Sequence, residues 1–185
     1  LLNQTIVDSH DLHFISRCEW RALPPKIDPE RIPAEYQPVP MVVIHHSALN
    51  NSCSGLVCDE VVRFYQRLHM DTNGWNDIGY NFLISPNGDV YEGRGWNVVG
   101  AHAFGYNSKS VGICLIGNFE EIRPTEEALR SAQELISLGT DMNMIAEDYE
   151  LIGHRQVRDT LCPGENLFSV IKNWQHWSNI SYTNI

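Results

Sequence analysis

The stretch "MVVIHHSA", residues 41–48, decides how the rest of the chain is read. Its run of β-branched and apolar residues predicts a buried strand, and two histidines close it. Successive side chains on a strand point to opposite faces, so only one of His45 and His46 can face a given site. More than a hundred residues downstream, "GHRQVRDTLCPG" at 153–164 places His154 after a second short strand. Cys162 follows in a loop stiffened by Pro163. Three readings fit these residues. A catalytic zinc needs three ligands of nitrogen, sulfur or carboxylate type and one open position, which His45, His154 and Cys162 can supply. A thiol hydrolase needs Cys162 paired with an imidazole base. Hydrogen-bonded structural histidines at strand ends need no ligand at all.

The bulk numbers limit the rest. A chain of 185 residues suits one domain with a real core. With 43% apolar and 19% charged residues the composition is globular. A net charge of -10 leaves no basic footprint for nucleic acid and disfavours an anionic membrane surface. No apolar run approaches the roughly 20 residues that span a bilayer. The first residues lack a charged flank followed by an apolar core, so no signal peptide is read there, as in a mature secreted chain. Sequons at Asn3, Asn50 and Asn179 lean toward secretion. Of the cysteines at 18, 53, 58, 114 and 162, Cys53 and Cys58 in "CSGLVC" are close enough to bridge, with a zinc knuckle as the rival. Cys114, in an apolar run, reads as a buried thiol, and Cys18 has no evident partner.

Along the chain, prolines 24, 25, 29, 33, 38 and 40 predict an N-terminal arm wrapping the domain, with Trp20 as its anchor. Val61, Val62, Tyr65 and Leu68 recur at helical spacing between Cys58 and Met70. Residues 79–94, "GYNFLISPNGDVYEGR", read as a hairpin, and 110–119 as another buried strand. Residues 124–144 read as a helix with Thr125 as N-cap and an apolar stripe of Leu129, Ala132, Leu135 and Ile136. "LIGH" reads as a short strand, and 165–177 as a terminal helix with Leu167, Val170, Ile171 and Trp174 inward. Strands interleave with helices, which predicts an α/β fold. The expected form is a single domain with a central mixed β-sheet flanked by about three α-helices and a proline-rich N-terminal arm.

Taken in order, "SRCEWRA", "VVIHHSA", "CSGLVC", "GWNDIGYNFLI", "DVYEGRGWNVVGAHAFGYNSKSVGI", "LIGNF" and "LIGHRQVRDTLCPG" resemble the peptidoglycan recognition proteins. These are similar in turn to N-acetylmuramoyl-L-alanine amidases of phage-lysozyme type. The resemblance covers residues 14–178, leaving tails at 1–13 and 179–185. It implies a secreted zinc amidase of innate immunity that binds peptidoglycan and cuts the lactyl amide between muramic acid and L-alanine. The implied zinc ligands are His45, His154 and Cys162. Tyr80 is the implied catalytic tyrosine, a donor to the developing oxyanion, and Thr160 takes the position of a lysine in the phage enzyme. His46, His69, His102 and Asn107 correspond to stem-peptide contacts. Gly74, Trp75 and Arg94 correspond to the set that selects meso-diaminopimelic acid stems. Ser47 is a less secure groove position, and Trp96 fits either groove or core. The family also contains receptors that bind without cutting, typically lacking the cysteine at position 162. A non-catalytic receptor is therefore the alternative function.

Overall fold

The computed structural model describes residues 10–48, 53 and 56–181. The tail at 1–9 and the sequons at Asn3 and Asn50 lie outside them, while Asn179 lies inside and is exposed. Six strands form one mixed sheet: β1 Phe14–Ile15, β2 Val39–His46, β3 Phe82–Ile84, β4 Val90–Glu92, β5 Ser110–Leu115 and β6 Ile145–Gly153. Their spatial order is β1-β4-β3-β5-β2-β6. Only the β3–β4 hairpin is antiparallel; the other neighbours run parallel. Three α-helices pack on this sheet: α1 Leu56–Arg67, α2 Glu126–Asp141 and α3 Glu165–Ile171. The architecture is the α/β single domain expected from the sequence.

Alternation along the central strands divides the core. Val42 and Ile44 of β2 and Val111, Ile113 and Leu115 of β5 face α2 and α3, meeting Ala132, Leu135, Leu167 and Ile171. On the other face Leu83 and Cys114 meet Val62 and Tyr65 of α1 and the arm's anchor Trp20. Trp20 is wholly buried, and its indole N–H donates to the Glu92 carbonyl at 2.9 Å. Cys53 and Cys58 form a disulfide with Cα atoms 4.9 Å apart, which replaces the zinc-knuckle alternative. Cys18 is exposed and Cys114 buried, both as free thiols.

Several boundaries differ from the sequence reading, each for a local reason. The arm contributes β1, a two-residue edge strand too short to carry a periodic signal. After α1 the chain makes a π-helical turn at Leu68–Thr72 instead of continuing to Met70 as α-helix. Thr125 caps α2 by accepting from the Ala128 N–H, but the helix stops at Asp141. There Asn143 enters the left-handed region at φ 55, and Met144 N–H bonds back to the Gly139 carbonyl. Strand β6 begins at Ile145, well before "LIGH"; as an edge strand it exposes Glu147, Asp148 and Glu150, which hid it from a hydrophobic reading. Helix α3 ends at Ile171, with Trp174 and Trp177 packed against the core from the turns that follow.

Candidate metal centre and groove

The register of β2 aims the two histidines apart. His45 lies level with Cys114 of β5, on the α1 face of the sheet. His46 turns to the other face, against Phe119, whose backbone N–H donates to the His46 Nδ1 at 3.2 Å. His154 opens the 3-10 turn that ends β6, and the loop carrying Cys162 folds back over both. The three candidate ligand atoms of His45, His154 and Cys162 lie within 4.8 Å of one another. The Cys162 Sγ is 3.7 Å from His45 Nδ1. A nitrogen and a sulfur bound to one tetrahedral zinc stand about 3.6 Å apart. The buried His154 Nε2 has no hydrogen-bond partner among the described residues.

Electrostatics suit the same ion. Burial, with His154 adding to it, pushes the His45 pKa well below the ordinary imidazole value. Burial and then Arg158 lower His154 to about 4. Both rings are thus neutral and present lone pairs. Burial pushes the Cys162 thiol up to about 12, so it reacts as a thiol until a cation displaces its proton.

The candidate ligands are held by neighbours. The other nitrogen of His45, Nε2, lies 3.0 Å from His102 Nδ1, and His102 Nε2 lies 3.5 Å from Ser110 Oγ. The Ser110 hydroxyl donates onward to the Tyr106 carbonyl at 2.8 Å. Such a chain fixes the tautomer that leaves His45 Nδ1 free for a metal. His102 lies flat on β5: a Cβ at Gly112 would fall 2.4 Å from its ring. The Cys162 loop is fastened by Arg155, whose N–H donates to the Cys162 carbonyl at 2.8 Å. The Arg155 guanidinium meets Glu165 at 2.7 Å and Glu120 at 2.9 Å and also donates to the Leu161 carbonyl. Thr160 Oγ1 accepts from the Cys162 N–H at 3.2 Å.

The cavity over the cluster, about 450 Å³, is lined by His45, His154, Cys162, Tyr80 and Thr160 among others. The Tyr80 ring stands 5.4 Å from the His45 ring and 5.5 Å from the His69 ring. Burial, with the neighbouring Cys114, holds its pKa well above the usual phenol value, so it remains a donor. His69, turned inward by the π-helical turn, accepts from the Gly79 N–H at 2.9 Å and packs on Trp75. Trp75 and Arg94 line a second cavity of about 430 Å³ with Gly74. Gly74 has φ +72, and a Cβ there would meet nothing within 4 Å, so glycine serves the backbone as well as the space. Arg94 does not pair with Glu92; its Nε donates to the Ile78 carbonyl at 2.7 Å and its NH1 to the Val99 carbonyl at 2.8 Å.

Other sequence-selected residues sit deeper than expected. Asn107 Oδ1 accepts from the His102 and Ala103 N–H groups, each at 2.8 Å, and so shapes the loop as well as lining a cavity. Ser47 Oγ accepts from the Gly117 N–H at 3.0 Å. Trp96 packs on Phe82 in the core on the α2 side. Arg155, Ser110 and Arg158 were missed. Only the position of Arg155, directly after a candidate ligand, gave a signal.

Residues 35–165 match the family described as N-acetylmuramoyl-L-alanine amidase. The chain is 45% identical over 171 residues to peptidoglycan-recognition protein LB of Drosophila melanogaster, covering 92% of this chain and 72% of that one. It is 39% identical over 165 residues to the human N-acetylmuramoyl-L-alanine amidase, covering 88% of this chain and 28% of that longer protein. The solved Drosophila protein LB superposes with a TM-score of 0.87 at 44% identity, covering 92% of this chain and 98% of that one. Peptidoglycan recognition protein LE, solved with tracheal cytotoxin, a monomeric diaminopimelic acid-type peptidoglycan, superposes with a TM-score of 0.87 at 41% identity, covering 90% and 96%. With this fold, this cluster and these relatives, the chain belongs to the N-acetylmuramoyl-L-alanine amidase family and, within it, to the peptidoglycan recognition proteins.

Proposed function

We propose that the protein is a secreted, zinc-dependent N-acetylmuramoyl-L-alanine amidase of innate immunity that acts on peptidoglycan with meso-diaminopimelic acid stems. The observation that carries this reading is the His45–His154–Cys162 cluster, gathered within 4.8 Å at a cavity, with an unpartnered nitrogen on His154. Zinc held there supplies a Lewis acid that acidifies water and polarises the lactyl amide carbonyl. Tyr80 donates to the oxygen on which negative charge develops. His102 orients His45, and Thr160 and Arg155 hold the Cys162 loop. Trp75, His69, His46 and Asn107 line the path of the stem, and Arg94 meets the extra carboxylate of diaminopimelic acid. The disulfide supports an oxidising, extracellular compartment. Among the described residues no helix is long and apolar enough to cross a membrane.

The test is direct. Incubate the protein with purified cell wall, with and without a chelator, and look for peptides that begin with a free L-alanine amine. Release that stops on chelation and returns with zinc is the expected result. Release that survives complete metal removal refutes the zinc mechanism. Binding with no release in any metal condition makes the protein a receptor.

A further inference from the structure

We infer that Arg158 binds the free α-carboxylate of the D-glutamate in the stem peptide, so that the protein prefers stems with D-glutamate to those with D-isoglutamine. This rests on the muropeptide reading above. It comes from sorting the arginines around the groove. Arg17 is ion-paired with Asp77 at 3.0 Å. Arg155 is ion-paired with Glu120 and Glu165. Arg94 and Arg158 also line the groove, yet neither makes an ion pair among the described residues. The chain carries 23 acidic residues against 13 lysines and arginines. Arginines without an acidic partner are common among the described residues; what distinguishes these two is that both open on one cleft, where a guanidinium can receive an anion.

The two cations sit in different branches of the cleft. Arg158 lines a cavity of about 450 Å³ with His154, Asn107, Phe104 and Trp75, and no carboxylate lines it. Asn107 already uses its oxygen for two backbone N–H groups, which leaves its amide NH₂ as a further donor. Trp75 and Ala101 line this cavity, the one over the metal cluster and the one at Arg94. His154 is shared between the cluster's cavity and that of Arg158.

The stem has the matching order of charges. After L-alanine comes D-glutamate, joined onward through its γ-carboxyl, which leaves its α-carboxylate free unless it is amidated. Two residues of extended chain reach about 7 Å from the scissile amide. With the amide at the cluster and the third residue beside Arg94, the second residue's branch falls next to His154, where Arg158 stands. The two arginines then read the two carboxylates in turn.

The test compares two muramyl tripeptides that differ only in the second residue, D-glutamate or D-isoglutamine, with meso-diaminopimelic acid third in both. Calorimetry on the Cys162→Ala chain, which lacks one metal ligand, keeps the ligand intact. Because Arg158 is exposed, solvent weakens the contact, and a preference of about two- to fivefold for the glutamate ligand is expected. It should shrink toward parity at 1 M salt, where the Debye length is about 3 Å. Adding Arg158→Gln should erase it. Equal affinities for the two ligands, or a preference that survives Arg158→Gln, overturns the assignment. Should Cys162→Ala not fold, the ratio of kcat/KM for the two substrates in the unaltered chain decides in the same way. Failure to bind either ligand refutes the muropeptide reading itself.

Discussion

Replacing His102 tests whether its main task is to hold His45 or to touch the stem peptide. Both rings are buried, at 1% exposure for His45 and 7% for His102. Burial lowers His102 to about 3, so it is neutral and can accept the His45 Nε2–H across 3.0 Å. His102→Leu removes the acceptor and leaves a buried imidazole N–H unsatisfied, a loss of about 1–3 kcal/mol. At about 1.4 kcal/mol per tenfold, that is roughly 5- to 150-fold; outer partners of metal-bound histidines typically carry about 10- to 100-fold in metal affinity. The assay is zinc competition against a chromophoric chelator, with the fold of each variant checked by circular dichroism. The Leu variant should bind zinc about 10- to 100-fold more weakly. His102→Asn should stay close to the parent, because its Oδ1 falls near the position of the lost Nδ1 and can accept the same proton. A Leu variant with unchanged zinc affinity, or an Asn variant that loses as much as Leu, refutes the reasoning.

Tyr80→Phe should cut turnover by about 10²–10³ while substrate affinity changes little; steady-state kinetics on a soluble muropeptide checks both, and unchanged turnover returns Tyr80 to packing. Arg94→Ala should erase most of an expected 10- to 100-fold calorimetric preference for diaminopimelic over lysine stems, the worth of about 1.5–3 kcal/mol for a charge-assisted bond. A wild-type chain indifferent to the two stems removes that role. Cys162→Ser should lose zinc and hydrolysis but keep muropeptide affinity; cleavage at the parental rate means that Cys162 is not a ligand. His10 bonds to Glu134 at 2.9 Å and to Asp141 at 3.0 Å, and the bond to Glu134 leads in raising its pKa. Its stabilisation is fully present below the unfolded value near 6.5 and is lost as pH rises through the higher folded value. His10→Gln should therefore lower Tm by up to about 2–4 °C at pH 5.5 and leave it unchanged at pH 9, by thermal denaturation, since an exposed pair contributes about 1 kcal/mol at most. Equal losses at both pH values would place the effect elsewhere.

What could be read from the chain alone was whatever local pattern controls. The β-branched run at 41–46, the Thr125 cap and the Ser85–Gly88 hairpin turn all formed as read. Elements set by tertiary pairing were not legible. Strand β1 exists because β4 offers it an edge, and β6 extends through acidic residues because β2 pairs with it. The same division runs through the site. His45, His154 and Cys162 could be nominated because ligand chemistry restricts residue type and the family resemblance points to them, and the structure gathers their candidate ligand atoms within 4.8 Å. Their supports were hidden because they are backbone-mediated or distant. Ser110 is an ordinary serine in sequence and becomes the end of a relay only when β5 passes beneath His102. Arg94 could be placed near Trp75, but not its anchoring to the Ile78 and Val99 carbonyls.

The support of the Cys162 loop bears on how one fold serves both cutting and recognition. Arg155, Glu120, Glu165 and Thr160 all reach this loop through its backbone or through each other, and none through the sulfur. The contacts of Sγ itself are weak ones, to the His46 N–H at 3.4 Å and to His45. Along the groove, His69 is fixed by Gly79, Asn107 by the 102–103 backbone and Arg94 by two carbonyls, again without the sulfur. The candidate ligand loop and the groove side chains thus rest on separate sets of hydrogen bonds. On the proposed reading, removing the thiol should take away a candidate ligand and leave the loop and the groove standing. In this chain the Cys162 thiol lies beside His45 and His154, its Sγ 3.7 Å from the His45 Nδ1.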